Sequence, residues 1–259
     1  MPELPDLQAF SLNLEKRLAK KKVVDVQLSS KKSNVTAAKL KSELVDQHIT
    51  KVFREGKELR ILFSNKMLLG LHLMLHGELH IVPADEAVKF SVFEISFAEG
   101  EKFVLSDFQK QARPMLDPEK SDVPDALSEE MDYNFLKDLL ASKKAIIKNV
   151  LLDQSMIRGI GNAYADEILW EAKISPFSIS NQIPEEAVKA LSKSIKHVLE
   201  TAIKQILKAE HEIISGEVRD FLKIHQRKKT ASPTGHEILV QKNGARKTFY
   251  TEEQVLYAK

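Results

Sequence analysis

The stretch RGIGNAYADEIL, residues 158 to 169, sets Gly159 and Gly161 on either side of Ile160 and follows them with Asn162, in a chain that holds only 9 glycines. Glycine admits backbone geometry that a side chain forbids, and it lets another backbone come close. A helix ending near Gln154 and a second starting near Asn162 would leave amides exposed at the new helix start. With Asn162 as its cap, that start could hold an anion such as a phosphate. A plain helix-helix turn with glycines for clearance accounts for the same residues. Trp170, on the same helix, reads as core packing rather than as a stacking platform.

The charge pattern points the same way. Between Lys223 and Tyr250 stand Lys223, Arg227, Lys228, Lys229, Lys242, Arg246 and Lys247 against a single acid, Glu237, a net +6. The whole chain carries only +2, so the rest is net −4. A basic segment on a slightly acidic body suits contact with a polyanion, although a solvated face can look alike. There are no cysteines, which excludes disulfides and any thiolate zinc site. Hydrophobic residues at 43% and charged residues at 29% fit a soluble globular protein. With no apolar run of bilayer length and no signal pattern, the expectation is a cytoplasmic protein.

A length of 259 residues suits two modest domains. In PDLQAFSLNLEKRLAKKK, Leu7, Phe10, Leu14 and Leu18 recur at three- and four-residue steps and predict a helix, with Pro5 in its first turn. Residues 23 to 105 then turn to short strand-like runs: VVDVQL, ELRILF, MLLGLHLML, ELHIV, SVFEISF and KFVLSDF. Turns fall at SNK, 64 to 66, and at AEGE, 98 to 101. The acidic, proline-spotted stretch from Met115 to Tyr133 reads as a connection. Helical patterns follow in NFLKDLLAS, KAIIKNVLLD, NAYADEILWEA, PEEAVKALSKSIKHVLETAIKQILKAE and EVRDFLKI. The last 36 residues return to strands, HEILVQ and RKTFYT, around a turn at KNG.

Several of these pieces together carry a resemblance. LLDQSMIRGIGNAYADEILWEAKISP resembles the helix-two-turns-helix motif of the formamidopyrimidine-DNA glycosylase and endonuclease VIII family, and MPELPD resembles that family's opening. REGKELRI at 54 to 61, HLMLHGEL at 72 to 79 and ARKTFYTEEQ near the C-terminus continue it in order along the whole chain. The fold so implied is α+β. An N-terminal β-sandwich with an N-terminal helix occupies 1–115, a linker 116–133, a helix-two-turns-helix domain 134–222, and a β-hairpin finger 223–259.

The resemblance also implies a chemistry, that of a bifunctional DNA glycosylase and lyase acting on damaged double-stranded DNA as a monomer, with no cofactor. Pro2, freed of Met1, takes the place of the nucleophile. An α-amine titrates at about pH 8, against about 10.4 for a lysine, so a usable fraction is unprotonated at neutral pH. Attack on the sugar C1′ would expel the base and leave a Schiff base that eases elimination of the 3′ phosphate. Glu3 matches the carboxylate that protonates the deoxyribose ring. Lys57 matches a hairpin lysine that holds a phosphate and serves in β-elimination, and Arg246 a finger arginine that serves in δ-elimination. Lys144, Lys148 and Asn162 match phosphate-contacting positions. Should Met1 stay attached, Pro2 is an amide nitrogen and cannot attack.

The chain departs from that family in two places. Family fingers hold zinc between two Cys-x-x-Cys pairs. Here Ala231, Thr234, Thr251 and Gln254 stand instead, so no metal is expected, and Ile238, Val240, Phe249 and Tyr250 are left to hold a zincless hairpin. The residues that read the lesion also differ. Leu75 replaces a methionine beside Met74, Lys89 stands near a DNA-touching histidine, and DFQKQA puts Gln109 and Gln111 where the family has a void-filling arginine and a wedge phenylalanine. Extruding a base costs a few kcal/mol that inserted side chains offset. The two glutamines therefore predict faster cleavage of abasic DNA than of paired 8-oxoguanine. Two other readings stay open: a DNA-binding relative that has lost base excision, favoured by the vacated readout positions, and an RNA or ribosome partner, which leaves PELPD unexplained.

Overall fold

The computed structural model describes residues 1–243 and 246–258. Its chain divides into two compact units, Met1–Lys120 with Ile206–Glu217, and Ser121–Gln205 with Val218–Lys259. Among the described residues no helix is long and apolar enough to cross a membrane.

The first unit opens with α1 (Leu4–Leu18). Leu7, Phe10, Leu14 and Leu18 are all buried along one face, as their spacing predicts. Pro5 sits in the first turn, where its missing N–H costs nothing. Glu3 is the N-cap, and a capping box ties it to Asp6, whose carboxylate accepts the Glu3 N–H at 2.8 Å.

Two four-stranded antiparallel sheets follow. One has the order β1-β6-β7-β5, from Val23–Leu28, Ser91–Phe97, Glu101–Ser106 and Glu78–Pro83. The other has the order β2-β3-β4-β8, from Ile49–Glu55, Glu58–Phe63, Leu68–His72 and Arg113–Leu116. Turns occur at 64–67 and 98–100, where SNK and AEGE place them, with Gly100 at φ 83°.

The sequence pattern did not single out β2, β8 or a second helix, α2 (Ala37–Leu44), capped by the Thr36 side chain. MLLGLHLML also proves to be strand only over Leu68–His72. Beyond it, Leu73 to Gly77 form a tight turn closed by the Gly77 N–H on the Leu73 carbonyl at 2.8 Å.

The second unit holds α3 (Tyr133–Ala141), α4 (Ile147–Leu152), α5 (Asn162–Glu171), a 3-10 turn at Ser180–Gln182, and the start of α6 (Glu185–Ala209). Its last element is the hairpin β9 (Leu239–Asn243) and β10 (Arg246–Tyr250). The turn expected at KNG falls partly on residues outside those described.

Two expectations need correcting here. EVRDFLKI is not a helix. Its apolar spacing suits one, but the N–H groups of Lys223, Ile224 and His225 are spent on the Glu167 carboxylate, each at 2.8 Å, rather than on carbonyls four residues back. The proline-spotted connection is also no loose tether at its second half. Asp125 and Ala126 are buried, and the Arg158 N–H reaches the Pro124 carbonyl at 2.9 Å.

Gly77 gives the sharpest test of the first unit. A Cβ there would lie 2.3 Å from the Leu73 oxygen and 2.8 Å from its Cα, both backbone atoms that cannot swing aside. Gly77→Ala should therefore destabilise the protein by about 1–3 kcal/mol, the usual range for overpacking, as read from the urea midpoint at unchanged m-value.

Candidate nucleic-acid interface

In the first unit, Pro2 is buried and Glu3 is 5% exposed at the mouth of α1, so both are held by the helix start rather than dangling from it. With Met1 attached, its ammonium pairs with Glu217 at 2.5 Å. Lys57 occupies the tip of the β2-β3 hairpin, whose ladder closes at the Glu55-Glu58 pair. Gly56 takes the first central position with φ 59°, as such a two-residue turn requires, and thereby aims Lys57. The hairpin is tied back to α1 by Arg54, which donates to Gln8 at 3.0 Å and to the Gly56 carbonyl at 3.0 Å.

Beside the hairpin lies a group that sequence reasoning passed over, His72 on β4. Burial, with the charges of Arg113 and Lys57, holds its imidazole down at about 4. It is therefore neutral near pH 7, and its Nδ1 accepts the Met74 N–H at 3.0 Å, bracing the turn that displays Leu75. Leu75 is exposed, as are Lys89, Gln109 and Gln111. The loop after β7 is organised by the buried Asp107 carboxylate, which accepts N–H groups from Gln109, Gln111 and Ala112 at 2.7 to 2.9 Å.

In the second unit the glycines behave in two ways. Gly159 lies at φ 103°, where a side chain would be strained. Gly161, not Asn162, is the N-cap of α5. The side-chain amide of Gln154 ties the turn together by accepting from Gly159 N and donating to the Leu152 and Ile160 carbonyls. Asn162 instead donates through Nδ2 to the Lys247 carbonyl at 3.0 Å, and its buried Oδ1 meets no hydrogen-bond partner among the described residues.

Lys144 is exposed between α3 and α4, and Arg246 is exposed at the start of β10. Lys148 is not. It is 5% exposed, with its ammonium 2.6 Å from Asp166 and 2.9 Å from the Thr248 hydroxyl, so the expected phosphate contact is replaced by an internal ion pair. The same Asp166 accepts the Phe249 N–H at 3.0 Å and lies 2.7 Å from His225 Nδ1. Its neighbour Glu167 binds the three amides of residues 223–225, and burial raises its carboxyl pKa against their pull. These two acids answer why α5 carries charge in its interior: they fasten the chain that leads to, and forms, the hairpin.

Comparisons with known proteins agree along the chain. Residues 1–113 match the formamidopyrimidine-DNA glycosylase N-terminal domain, and residues 123–211 its H2TH domain. A formamidopyrimidine-DNA glycosylase of Lactobacillus gasseri is 29% identical across 99% of this chain and 100% of its own length. One from Protochlamydia amoebophila is 32% identical over 78% and 77%. The solved complex of Lactococcus lactis Fpg with an abasic site containing DNA superposes with a TM-score of 0.86 at 25% identity, covering 96% of this chain and 98% of that one. The chain belongs to the formamidopyrimidine-DNA glycosylase family. That is a family of DNA-binding glycosylases of base excision repair.

Within this family member the finger holds together without metal ligands. Among the described residues no cluster of three or more His, Cys, Asp or Glu could hold a metal ion. Thr251 N–H donates to Gln254 at 2.9 Å, and Gln254 in turn donates to the Ile174 carbonyl at 2.8 Å. Glu253 collects the Thr234 hydroxyl at 2.7 Å, the Thr251 hydroxyl at 3.2 Å, Lys173 at 2.8 Å and Trp170 Nε1 at 3.3 Å. The apolar support is Trp170, Ile224, Ile238 and Phe249. Trp170 is core, as its sequence context implies, whereas Val240 is 52% exposed and gives no such support. Tyr250 packs edge-on to Phe177 at 5.0 Å.

Burial alone would raise the Glu253 carboxyl, but Lys173, Thr234 and Thr251 overcome it and hold it at about 2, below its ordinary 4.5. A carboxylate depressed by folding adds stability above its unfolded value and loses it as pH falls towards the folded one. Glu253→Gln should lower Tm by a few degrees at pH 7, with the gap to wild type closing between pH 4.5 and 2. A gap that persists at pH 2 would mean packing, not charge.

Proposed function

We propose that this protein is a bifunctional glycosylase and abasic-site lyase acting on damaged double-stranded DNA, with the Pro2 nitrogen, freed of Met1, as nucleophile. The observation that carries this is the Pro2-Glu3 pair at the braced start of α1, in a chain matched across both domains to formamidopyrimidine-DNA glycosylases. Solved relatives bound to abasic-site, oxidised-pyrimidine and Fapy-dG DNA support the substrate class.

In this reading the secondary amine attacks C1′, the bond from C1′ to the base breaks, and the base leaves with a proton. Glu3 protonates O4′ as the ring opens, which leaves a cationic iminium between Pro2 and C1′. That cation acidifies C2′. Loss of a C2′ proton then expels the 3′ phosphate, with Lys57 on the phosphate, and water releases the enzyme. Arg246 serves a second elimination at the 5′ side. Lys144 and Asn162 remain the phosphate-contact candidates of the second unit, and the basic run from Lys223 to Tyr250 supplies attraction that weakens with salt.

Borohydride reduces an iminium to a stable amine. Incubation with an abasic duplex and borohydride should give a covalent adduct with protein lacking Met1, and none with protein that retains Met1. Absence of adduct from material whose mass shows Met1 removed would leave a DNA-binding relative without lyase chemistry.

The exchange of arginine and phenylalanine for Gln109 and Gln111 bears on lesion choice. On matched duplexes, strand cleavage at an abasic site should outpace release of 8-oxoguanine paired with cytosine. Equal or reversed rates would show that the glutamines impose no extrusion barrier.

A further inference from the structure

Three loops meet at one end of the β1-β6-β7-β5 sheet. Ser106 pairs with Glu78 on one side and with Ser91 on the other, so the chain before β5, the chain before β6 and the chain after β7 emerge together. The Asp107 N–H donates to the Phe90 carbonyl at 2.9 Å and joins two of them. Each loop exposes one large apolar side chain: Leu75 at 58%, Phe90 at 59% and Phe108 at 55%. Each also bends through a left-handed non-glycine residue, Met74 at φ 55°, Phe90 at φ 58° and Lys110 at φ 54°.

Strain and exposed apolar surface each cost stability, and their coincidence in all three loops marks a surface shaped for a ligand rather than for the fold. Phe108 stands out among the three. Its ring lies 4.6 Å from that of His76, tilted by 47°, and the Asp107 amide bonds fix the backbone on its C-terminal side. Exposed Lys89, Lys110, Gln109 and Gln111 surround this end of the sheet. An aromatic ring held rigid and half out of the protein, rimmed by cations and amides, has the chemistry to stack on a nucleobase beside a phosphate backbone.

We infer that Phe108, braced by His76, is the side chain that enters the base stack of the duplex when a nucleotide is extruded, a position that the resemblance leaves to Gln111. This rests on the proposed action on damaged DNA and deepens it. Gln109 and Gln111, on the same loop, then supply hydrogen bonds to the orphaned base, while Phe108 supplies the stacking that an amide cannot. Phe108 is a specificity-determining residue here, not a catalytic one.

The test uses the full-length protein and duplexes with a tetrahydrofuran abasic analogue opposite or next to 2-aminopurine, whose fluorescence rises when it unstacks. Wild type should raise that signal on binding. Phe108→Ala should lose the rise and weaken the preference for this duplex over an intact one roughly tenfold, within the range for removing one aromatic stack. Its melting temperature should not change, because the ring is solvent-facing. Phe108→Trp should keep the preference, and its indole fluorescence should be quenched on binding.

Unchanged 2-aminopurine signal and preference in Phe108→Ala, or no quenching in Phe108→Trp, would overturn the inference. Borohydride trapping of the same proteins separates the two levels. Adducts from wild type and Phe108→Ala alike, with the 2-aminopurine rise intact in both, would reject the wedge while leaving the lyase standing. Wild type that neither traps nor prefers the damaged duplex would reject both.

Discussion

The second unit depends on one buried carboxylate. Asp166 is fully buried in the middle of α5, where an unpaired charge would cost several kcal/mol. It is offset by Lys148 from α4, by His225 from the irregular segment, and by the Phe249 N–H from β10. Three other pieces of chain thus converge on its two oxygens. Breaking such a pair from one side is far more damaging than replacing it whole, since the survivor stays buried without its partner. Lys148 and Asn162 also hold the Lys247 carbonyl, one residue from Arg246, the residue proposed for the second elimination.

That arrangement explains which parts of the molecule could be read from the sequence. Periodicity found α1, α3, α5 and α6, and the strand runs found β1, β3 and β6, because each of those elements buries a face set by its own local spacing. EVRDFLKI failed under the same rule. Val218, Phe221 and Leu222 have helical spacing, but Glu167, more than fifty residues earlier, takes the amides that a helix would need. A long-range acceptor leaves no mark in a local window. Lys148 misled for a related reason, since a lysine matched to a phosphate position looks the same whether its partner is solvent, DNA or a buried aspartate.

The finger shows how a metal's structural work can be distributed. A tetrahedral thiolate site would fix four chain positions to one point. Here Glu253 gathers three hydroxyls, of Ser232, Thr234 and Thr251, an ammonium and an indole N–H, while Gln254 bridges Thr251 and the Ile174 carbonyl. Lys173 and Lys223 lie over the Trp170 ring at 4.6 and 5.2 Å, so the same aromatic side chain backs the cluster from its apolar side. The sequence signalled the loss of cysteines plainly. It did not signal that a glutamate outside the four vacated positions would become the hub.

The first-unit residues that depart from the family's motifs, Leu75, Lys89, Gln109 and Gln111, all stand in loops between strands. α1 still carries its capping box, the β2-β3 turn still has glycine ahead of Lys57, and His72 stays neutral to brace the turn before Leu75. The loop from Asp107 to Ala112 is different, because its backbone is locked by one carboxylate while its outward side chains are free to vary. The three amides on Asp107 hold the same backbone whichever side chains stand at 108, 109 and 111, so the loop is a fixed frame with replaceable tips, and a change of side chain there leaves the strands on either side undisturbed.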